Sequence, residues 1–168
     1  MATDSNVTVQ QRVIIAADTV VRGHVVIKSG TVVHPHATID ASLGPIVLGE
    51  NCIVEEHVHL TSPPEGMTLG DGNVFRIGCH VSAPNIGNCN VFEPRSRITT
   101  SITNFCVVGA GCTADGPVLP ERTVVYGAAS EHRTWSGDGI GQQLALHAKH
   151  LVYLRDQIPK SHKLRVIR

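Results

Sequence analysis

Residues 15–39 read IAADTVVRGHVVIKSGTVVHPHATI, and an aliphatic side chain recurs at every sixth position of this stretch. The recurring residues are Ile15, Val21, Ile27, Val33 and Ile39. The residues four positions after them are Thr19, Val25, Thr31, Ala37 and Leu43. A period of six fits neither the 3.6-residue period of a helix nor the simple alternation of a strand. It predicts a coil of short strands and turns, with one face for each six-residue unit.

The same register restarts after each interruption and continues to about residue 130. The later aliphatic or aromatic positions are Leu48, Val54, Leu60, Leu69, Phe75, Val81, Ile86, Phe92, Ile98, Ile102, Val108, Leu119 and Val125. The accompanying fourth-position residues are Cys52, Val58, Asn73, Cys79, Asn90, Ser96, Cys106, Cys112, Thr123 and Ala129. Extra residues at 42–45 and 62–66 predict loops that bulge from the corners. Stacked coils of this kind bury one continuous core, so the sequence predicts a single all-β solenoid.

The repeat fades after Tyr126, and a different pattern follows. We expect residues 1–14 to form a lead-in and the first coil, 15–130 the β-helix, 131–141 a linker, 142–158 an α-helix and 159–168 a basic tail. The helix is predicted from three- and four-residue apolar spacing, and Pro159 is expected to stop it. Its apolar face could pack on the β-helix or contact a partner. The candidate partner-interface residues are Leu144, Leu151, Leu154 and Ile158.

Composition argues against two classes of partner. The chain has 14 basic and 14 acidic residues among 168, so it lacks the broad positive charge that nucleic-acid binding usually requires. No segment approaches 18 uncharged apolar residues, so no membrane span is predicted. We therefore expect a cytoplasmic protein that binds neither nucleic acid nor the membrane interior.

The repeat resembles that of the hexapeptide family, whose fold is a left-handed parallel β-helix. That resemblance implies about seven coils. Two enzyme classes share this fold, so the sequence is compared with the site residues of each. Aligned with the γ-class carbonic anhydrases, the three zinc-ligand positions fall on Thr61, Ile77 and Ser82. Isoleucine cannot bind zinc, and a catalytic zinc needs three protein ligands. For a hexapeptide acyltransferase, His24 and His80 are the only candidate bases.

The remaining histidines and cysteines suggest no catalytic group. His34, His36, His57 and His59 fall at positions expected to face outward, and they are interpreted as surface residues. Four of the five cysteines occupy fourth positions of the repeat, where a free thiol serves as a small hydrophobic group. The sequence therefore predicts no catalytic residue, cofactor or metal, and the two enzyme classes remain as the alternative function.

Longer segments resemble the dynactin subunit 6 family. Residues 44–60 read GPIVLGENCIVEEHVHL, residues 72–79 read GNVFRIGC and residues 119–127 read LPERTVVYG. The C-terminal order of helix, Pro159, His162 and Leu164 is also similar to that family. The resemblance implies a non-catalytic structural subunit of the dynactin pointed-end complex, associated with the cytoskeleton. The implied partners are a dynactin subunit 5-like β-helix protein and an actin-related pointed-end protein, in support of dynein-based transport along microtubules.

Overall fold

The aliphatic positions of the repeat point into one continuous core, and they do so in a parallel β-solenoid of about seven coils followed by one helix. A computed structural model describes residues 6–167. The all-β solenoid with a C-terminal helix is confirmed. The expectations for residues 1–5 of the lead-in and for Arg168 of the tail lie outside the described residues.

Most strands are short because each forms one side of a coil, but the two longest continue around a corner onto a second side. In chain order they are β1 (Asn6–Val9), β2 (Ile14–Ile15), β3 (Val20–Ile27), β4 (Val32–Val33), β5 (Thr38–Leu48), β6 (Ile53–Val54), β7 (His59–Thr61), β8 (Met67–Leu69), β9 (Val74–Phe75), β10 (His80–Val81), β11 (Asn85–Ile86), β12 (Val91–Phe92), β13 (Arg97–Ile98), β14 (Val107–Val108), β15 (Thr113–Ala114), β16 (Thr123–Tyr126) and β17 (Glu131–Thr134). The helix α1 runs from Ile140 to Ser161.

Strand pairing divides the solenoid into three faces. Face one is the sheet β17-β16-β14-β12-β9-β6-β4-β2. Face two stacks the first part of β3 and β5 with β7, β10, β13 and β15. Face three stacks β1 with the second part of β3 and β5, followed by β8 and β11. All these pairs are parallel except β16 with β17, which is antiparallel.

Buried polar side chains hold the corner between faces three and one. Asn73 and Asn90 occupy successive coils and are fully buried. The Nδ2 atom of Asn90 donates to the Thr103 carbonyl at 2.9 Å, and its Oδ1 atom accepts from the Cys106 amide at 2.7 Å. The Asn90 amide in turn donates to Oδ1 of Asn73 at 2.9 Å. This ladder satisfies backbone groups that the turn leaves without a strand partner, which explains why a polar residue takes a core position.

Two fourth-position residues do not lie in the core as the repeat predicted. Leu43 is exposed because the chain between the two parts of β5 bulges outward around it. Ala129 is exposed because the repeat ends at β16, where the chain turns back into β17. By contrast, Phe75 and Phe92 are fully buried and stack with their ring centroids 5.1 Å apart. Aromatic rings therefore fill the middle of a core otherwise built from aliphatic side chains.

The C-terminal boundaries differ from those expected from sequence. The predicted linker 131–141 includes β17, which pairs with β16 from Glu131 to Thr134. The helix expected over 142–158 begins at Ile140 and ends at Ser161, with Pro159 inside its last turn. A proline removes one backbone donor, but the His162 amide still donates to the Ile158 carbonyl at 2.9 Å. Burial of Ile158 on the solenoid holds this last turn in place.

The residues after α1 return to the first coil. Leu164 forms an antiparallel bridge with Ala16. The Ala17 amide donates to the Lys163 carbonyl at 2.7 Å, and the Arg165 amide donates to the Ile15 carbonyl at 2.7 Å. Face one is therefore covered by antiparallel chain at both ends, by β17 at one edge and by residues 163–165 at the other. Such covering protects strand edges from pairing with other chains.

Candidate interaction surfaces

Helix α1 covers the outer side of face one with its apolar side chains. Leu151, Leu154 and Ile158 are buried and form a second cluster with Val32, Ile53 and Val74, separate from the solenoid core. The strand residues of this cluster point outward, which explains why face one carries apolar residues on both of its sides. Three of the four predicted partner-interface residues therefore pack within the chain.

Polar contacts fix the position of the helix as well. The Arg155 guanidinium donates to the Gly30 carbonyl at 2.7 Å and to Oδ1 of Asn51 at 3.0 Å. The His147 ring lies with Nε2 2.6 Å from the Asn51 carbonyl oxygen. Gly30 and Asn51 occupy one corner of successive coils with positive φ of 78° and 53°. Their turns leave a carbonyl and an amide oxygen facing the helix, so the helix is attached at a defined register.

The N-terminal half of α1 stands away from the sheet. A cavity of about 660 Å³ separates it from Val74 and Val91, with His147 and His150 on the helix side. Leu144, the fourth predicted interface residue, is 42 % exposed at this end. Burial lowers the pKa of His150, and the charge of Arg76 lowers it further.

The outer side of α1 carries large apolar side chains that sequence reasoning missed. Leu146, Val152 and Tyr153 are exposed by 66 %, 65 % and 58 %. Helical spacing could have identified Leu146 and Tyr153, because residues seven apart lie on one side of a helix. We refer to Leu146, Val152 and Tyr153 as the outer helix surface; Leu144, seven residues before the buried Leu151, lies on the cavity side of α1 instead. Exposed apolar groups concentrated on one element are typical of protein contacts.

One histidine expected to face solvent is covered. The His34 side chain points out of the solenoid but is only 9 % exposed. Its Nδ1 atom lies 3.1 Å from Oε1 of Glu56, while its Nε2 atom is buried without a hydrogen-bond partner within residues 6–167. The repeat correctly predicted that the His34 side chain points out of the solenoid. A six-residue pattern could not show that another part of the chain covers this side chain.

The other paired histidines line face two and its corner. His36 stacks on His57 at 5.6 Å, and its Nε2 atom lies 3.5 Å from a carboxylate oxygen of Asp18. His59 stacks on His80 at 4.5 Å on neighbouring strands. Burial lowers the pKa of His80, and the neighbouring His59 and Arg97 lower it further. Each stacked pair joins neighbouring coils, because residues at equivalent positions of the repeat lie above one another in the solenoid.

The positions that would serve an enzyme are dispersed. Thr61 and Ser82 are exposed on face two, and Ile77 is exposed at the preceding corner. His24 pairs with Asn6 on face three, whereas His80 lies on face two. Within residues 6–167, no group of three or more His, Cys, Asp or Glu side chains is arranged to hold a metal ion.

The cysteines are structural in character. Cys52, Cys79, Cys106 and Cys112 are buried, as their repeat positions predict, and Cys89 is partly buried. Burial raises the pKa of Cys52 to about 12. A thiol of such high pKa is a poor nucleophile at neutral pH.

Over the described part of the chain, no helix is long and apolar enough to cross a membrane.

Comparison with known proteins gives consistent relatives. The chain is 31 % identical over 175 residues to dynactin subunit 6 of Xenopus tropicalis, covering 95 % of this chain and 85 % of the relative. It is 33 % identical to dynactin subunit 6 of Nematostella vectensis, covering 90 % and 88 %, and 34 % identical to that of Dictyostelium discoideum, covering 76 % and 70 %. No protein-family model matches the sequence.

Among solved structures, the hexapeptide transferase family protein of Anaplasma phagocytophilum superposes with a TM-score of 0.80. The similarity covers 90 % of this chain and 92 % of that chain, at 13 % sequence identity. At this identity the likeness describes the fold alone.

Proposed function

Because the chain belongs to the dynactin subunit 6 family, we propose that it is a non-catalytic structural subunit of the dynactin pointed-end complex. The observation that carries the proposal is the extent of the similarity, which includes 95 % of the chain in two relatives. The hexapeptide pattern alone would match many proteins, but the similarity also spans the C-terminal helix. In this proposal the chain pairs with a dynactin subunit 5-like β-helix protein, contacts an actin-related pointed-end protein and supports dynein-based transport.

The covered and uncovered surfaces support a role in assembly. Face one is occupied by α1, and its two edges are paired with β17 and the tail. Within residues 6–167, faces two and three are strand ladders without such a covering helix. The outer helix surface adds exposed apolar groups beside them. We propose that the heterodimer contact includes the outer helix surface, with the predicted interface residues Leu144, Leu151, Leu154 and Ile158 on the solenoid side of α1, where the three buried ones hold the helix in place.

The alternative, an enzyme of the hexapeptide class, would need a site that the named residues do not provide. A γ-class carbonic anhydrase would place zinc ligands at Thr61, Ile77 and Ser82, none of which is a histidine. An acyltransferase would need a histidine beside a substrate groove, whereas the two cavities beneath α1 are lined by His147 and His150 and not by His24 or His80. We therefore favour an assembly subunit over an enzyme of the hexapeptide class.

The first experiment measures mass in solution and metal content of the purified chain, alone and mixed with the dynactin subunit 5 of the same organism. We expect a one-to-one complex on mixing and no bound zinc. A homotrimer with stoichiometric zinc that ignores the partner would reject the proposal and favour the enzyme alternative.

A second experiment locates the contact. Leu146→Ser with Tyr153→Ser removes apolar groups from the outer helix surface without touching the buried cluster. We expect this variant to fold normally and to lose the partner complex. Glu131→Ser with His132→Ser, on the exposed strand β17, is the matched control and is expected to keep the complex. Unchanged association of the helix variant would exclude this surface.

A further inference from the structure

Face two changes in chemical character along the solenoid. In the first two coils its basic side chains lie beside carboxylates, since Arg22 lies 3.5 Å from Asp40 and His36 lies 3.5 Å from Asp18. In the next three coils the outward residues are those of β7, β10 and β13 and the residues that follow them. They are His59, Thr61, His80, Ser82, Arg97 and Thr99. We call this set, together with Arg95 at the adjoining corner, the face-two patch.

The face-two patch concentrates positive charge between carboxylates at its two ends, since Asp40 pairs in register with Thr61 on the preceding coil and Asp115 follows β15 on the next one. Arg95 and Arg97 are exposed, and within residues 6–167 neither forms an ion pair. The carboxylates of Glu55 and Glu56, on the coil of β7, are already engaged by Arg76 and His34 on the face-one side of the corner. The patch therefore presents two permanent charges, two titratable imidazoles and three hydroxyl groups.

Cationic groups in the patch lie directly next to one another on neighbouring strands. His80 pairs in register with His59 on one side and with Arg97 on the other. Like charges directly opposite in a sheet disfavour each other. Burial is the larger cause of the lowered pKa of His80, and the charges of His59 and Arg97 lower it further. A carboxylate placed above these residues would remove the repulsion and gain a hydrogen bond from each charged group.

We propose that the face-two patch docks an acidic segment of a partner protein. The patch is a ladder of strands spaced about 4.8 Å apart, so its three coils span about 10 Å. An extended segment presents alternate side chains on one face about 7 Å apart, which lets two carboxylates reach the arginines and the histidine pair together. The hydroxyl groups of Thr61, Ser82 and Thr99 can donate to the same carboxylates or to the segment's backbone.

The charge balance favours an acidic protein over a nucleic acid. The whole chain is neutral in formal charge, and the patch contains only two arginines. Nucleic-acid binding normally uses a broader basic surface and several phosphate contacts. The proposal does not rest on assembly with dynactin, because its test uses this chain alone.

The test is a fluorescence anisotropy titration of the full chain into a labelled octaglutamate peptide at about 50 mM salt and pH 7.5, where surface charges are weakly screened. Arg95→Gln with Arg97→Gln is expected to weaken binding by about three- to tenfold, as for two exposed charge contacts. Arg133→Gln with Lys149→Gln is the matched control, removing the same charge from β17 and α1, and its affinity should equal that of the parent. Circular dichroism establishes that both variants fold.

Histidine protonation provides a second readout. His80 faces His59 and Arg97 on the neighbouring strands, and Asp40 and Asp115 carry the carboxylates of the adjoining coils of face two. Binding should strengthen from pH 7.5 to pH 6.0, and His80→Gln should reduce that gain.

Two results would overturn the proposal. One is an equal loss of affinity in the patch variant and in the control, which would mean that only net charge matters. The other is no binding of octaglutamate, with binding of single-stranded RNA or of anionic phosphatidylserine vesicles instead.

Discussion

Asn90→Ala should destabilise the solenoid far more than Asn88→Ala, although the two residues lie two positions apart on the same turn. The Asn90 side chain is fully buried and binds the Thr103 carbonyl and the Cys106 amide. Removing it leaves both backbone groups unpaired, the Cys106 amide in a buried place and the Thr103 carbonyl in a partly buried one. Each unpaired buried group costs about 1–3 kcal/mol, so we expect a loss of about 3 kcal/mol or more in the free energy of unfolding.

Asn88 supplies the matched control. Its Oδ1 atom accepts from the Asp71 amide at 2.8 Å, but this bond is exposed. Water can replace the lost acceptor, so Asn88→Ala should cost about 1 kcal/mol or less. Both substitutions remove the same amide group and leave alanine, which isolates the effect of burial.

The assay is guanidinium unfolding, followed by far-ultraviolet circular dichroism and by the fluorescence of the single tryptophan, Trp135. Solenoids can unfold in parts, so agreement between the two signals is required before free energies are compared. Equal midpoints and slopes for the two variants would refute the reasoning, because the ladder would then contribute no more than a surface hydrogen bond.

Three further predictions follow from the covering of face one. Leu151→Ala should lower the free energy of unfolding by about 2–4 kcal/mol through loss of buried contacts, whereas Leu146→Ala should change it by about 0.5 kcal/mol or less, both measured by urea unfolding. The pKa of His150 is lower in the folded chain, so the unfolded chain binds more protons as the pH falls through about 6.5; thermal melts should show falling stability towards pH 5.5, and His150→Gln should flatten that fall. Cys89 should react first with a thiol reagent, followed by Cys52 only on unfolding, as mass spectrometry of the labelled protein would show.

The repeat predicted the core well because its information is local. Ile39 and Leu60 lie one coil apart, and the structure places them in register on β5 and β7. A period of six repeated over three faces specifies which side chains point inward, whatever the rest of the chain does. Leu43 shows the limit of this reasoning, since inserted residues can move a position out of the core without changing the spacing around it.

The burial of outward-facing side chains beneath distant segments of the chain could not be predicted in the same way. The outward direction of His34 was predicted, but its burial depends on chain far away in the sequence. The apolar face of α1 was predicted too, and sequence alone left open whether the solenoid or a partner would cover it. Leu151 lies against the solenoid, whereas Tyr153, two residues later, remains exposed. Face-two charges such as Arg97 could have been found by counting the outward positions of each coil.

Closure of the first coil by residues 163–165 has a consequence for synthesis. A ribosome delivers Ala16 about 150 residues before the segment that bridges to it. At about 5–20 residues per second, the first coil waits roughly 7–30 s with an uncovered edge. During that interval a nascent chain on a neighbouring ribosome has the same unpaired edge at its first coil. Polysomes that translate this mRNA therefore bring unpaired strand edges close together. The first coil thus depends for its protection on a segment that is translated about 150 residues later.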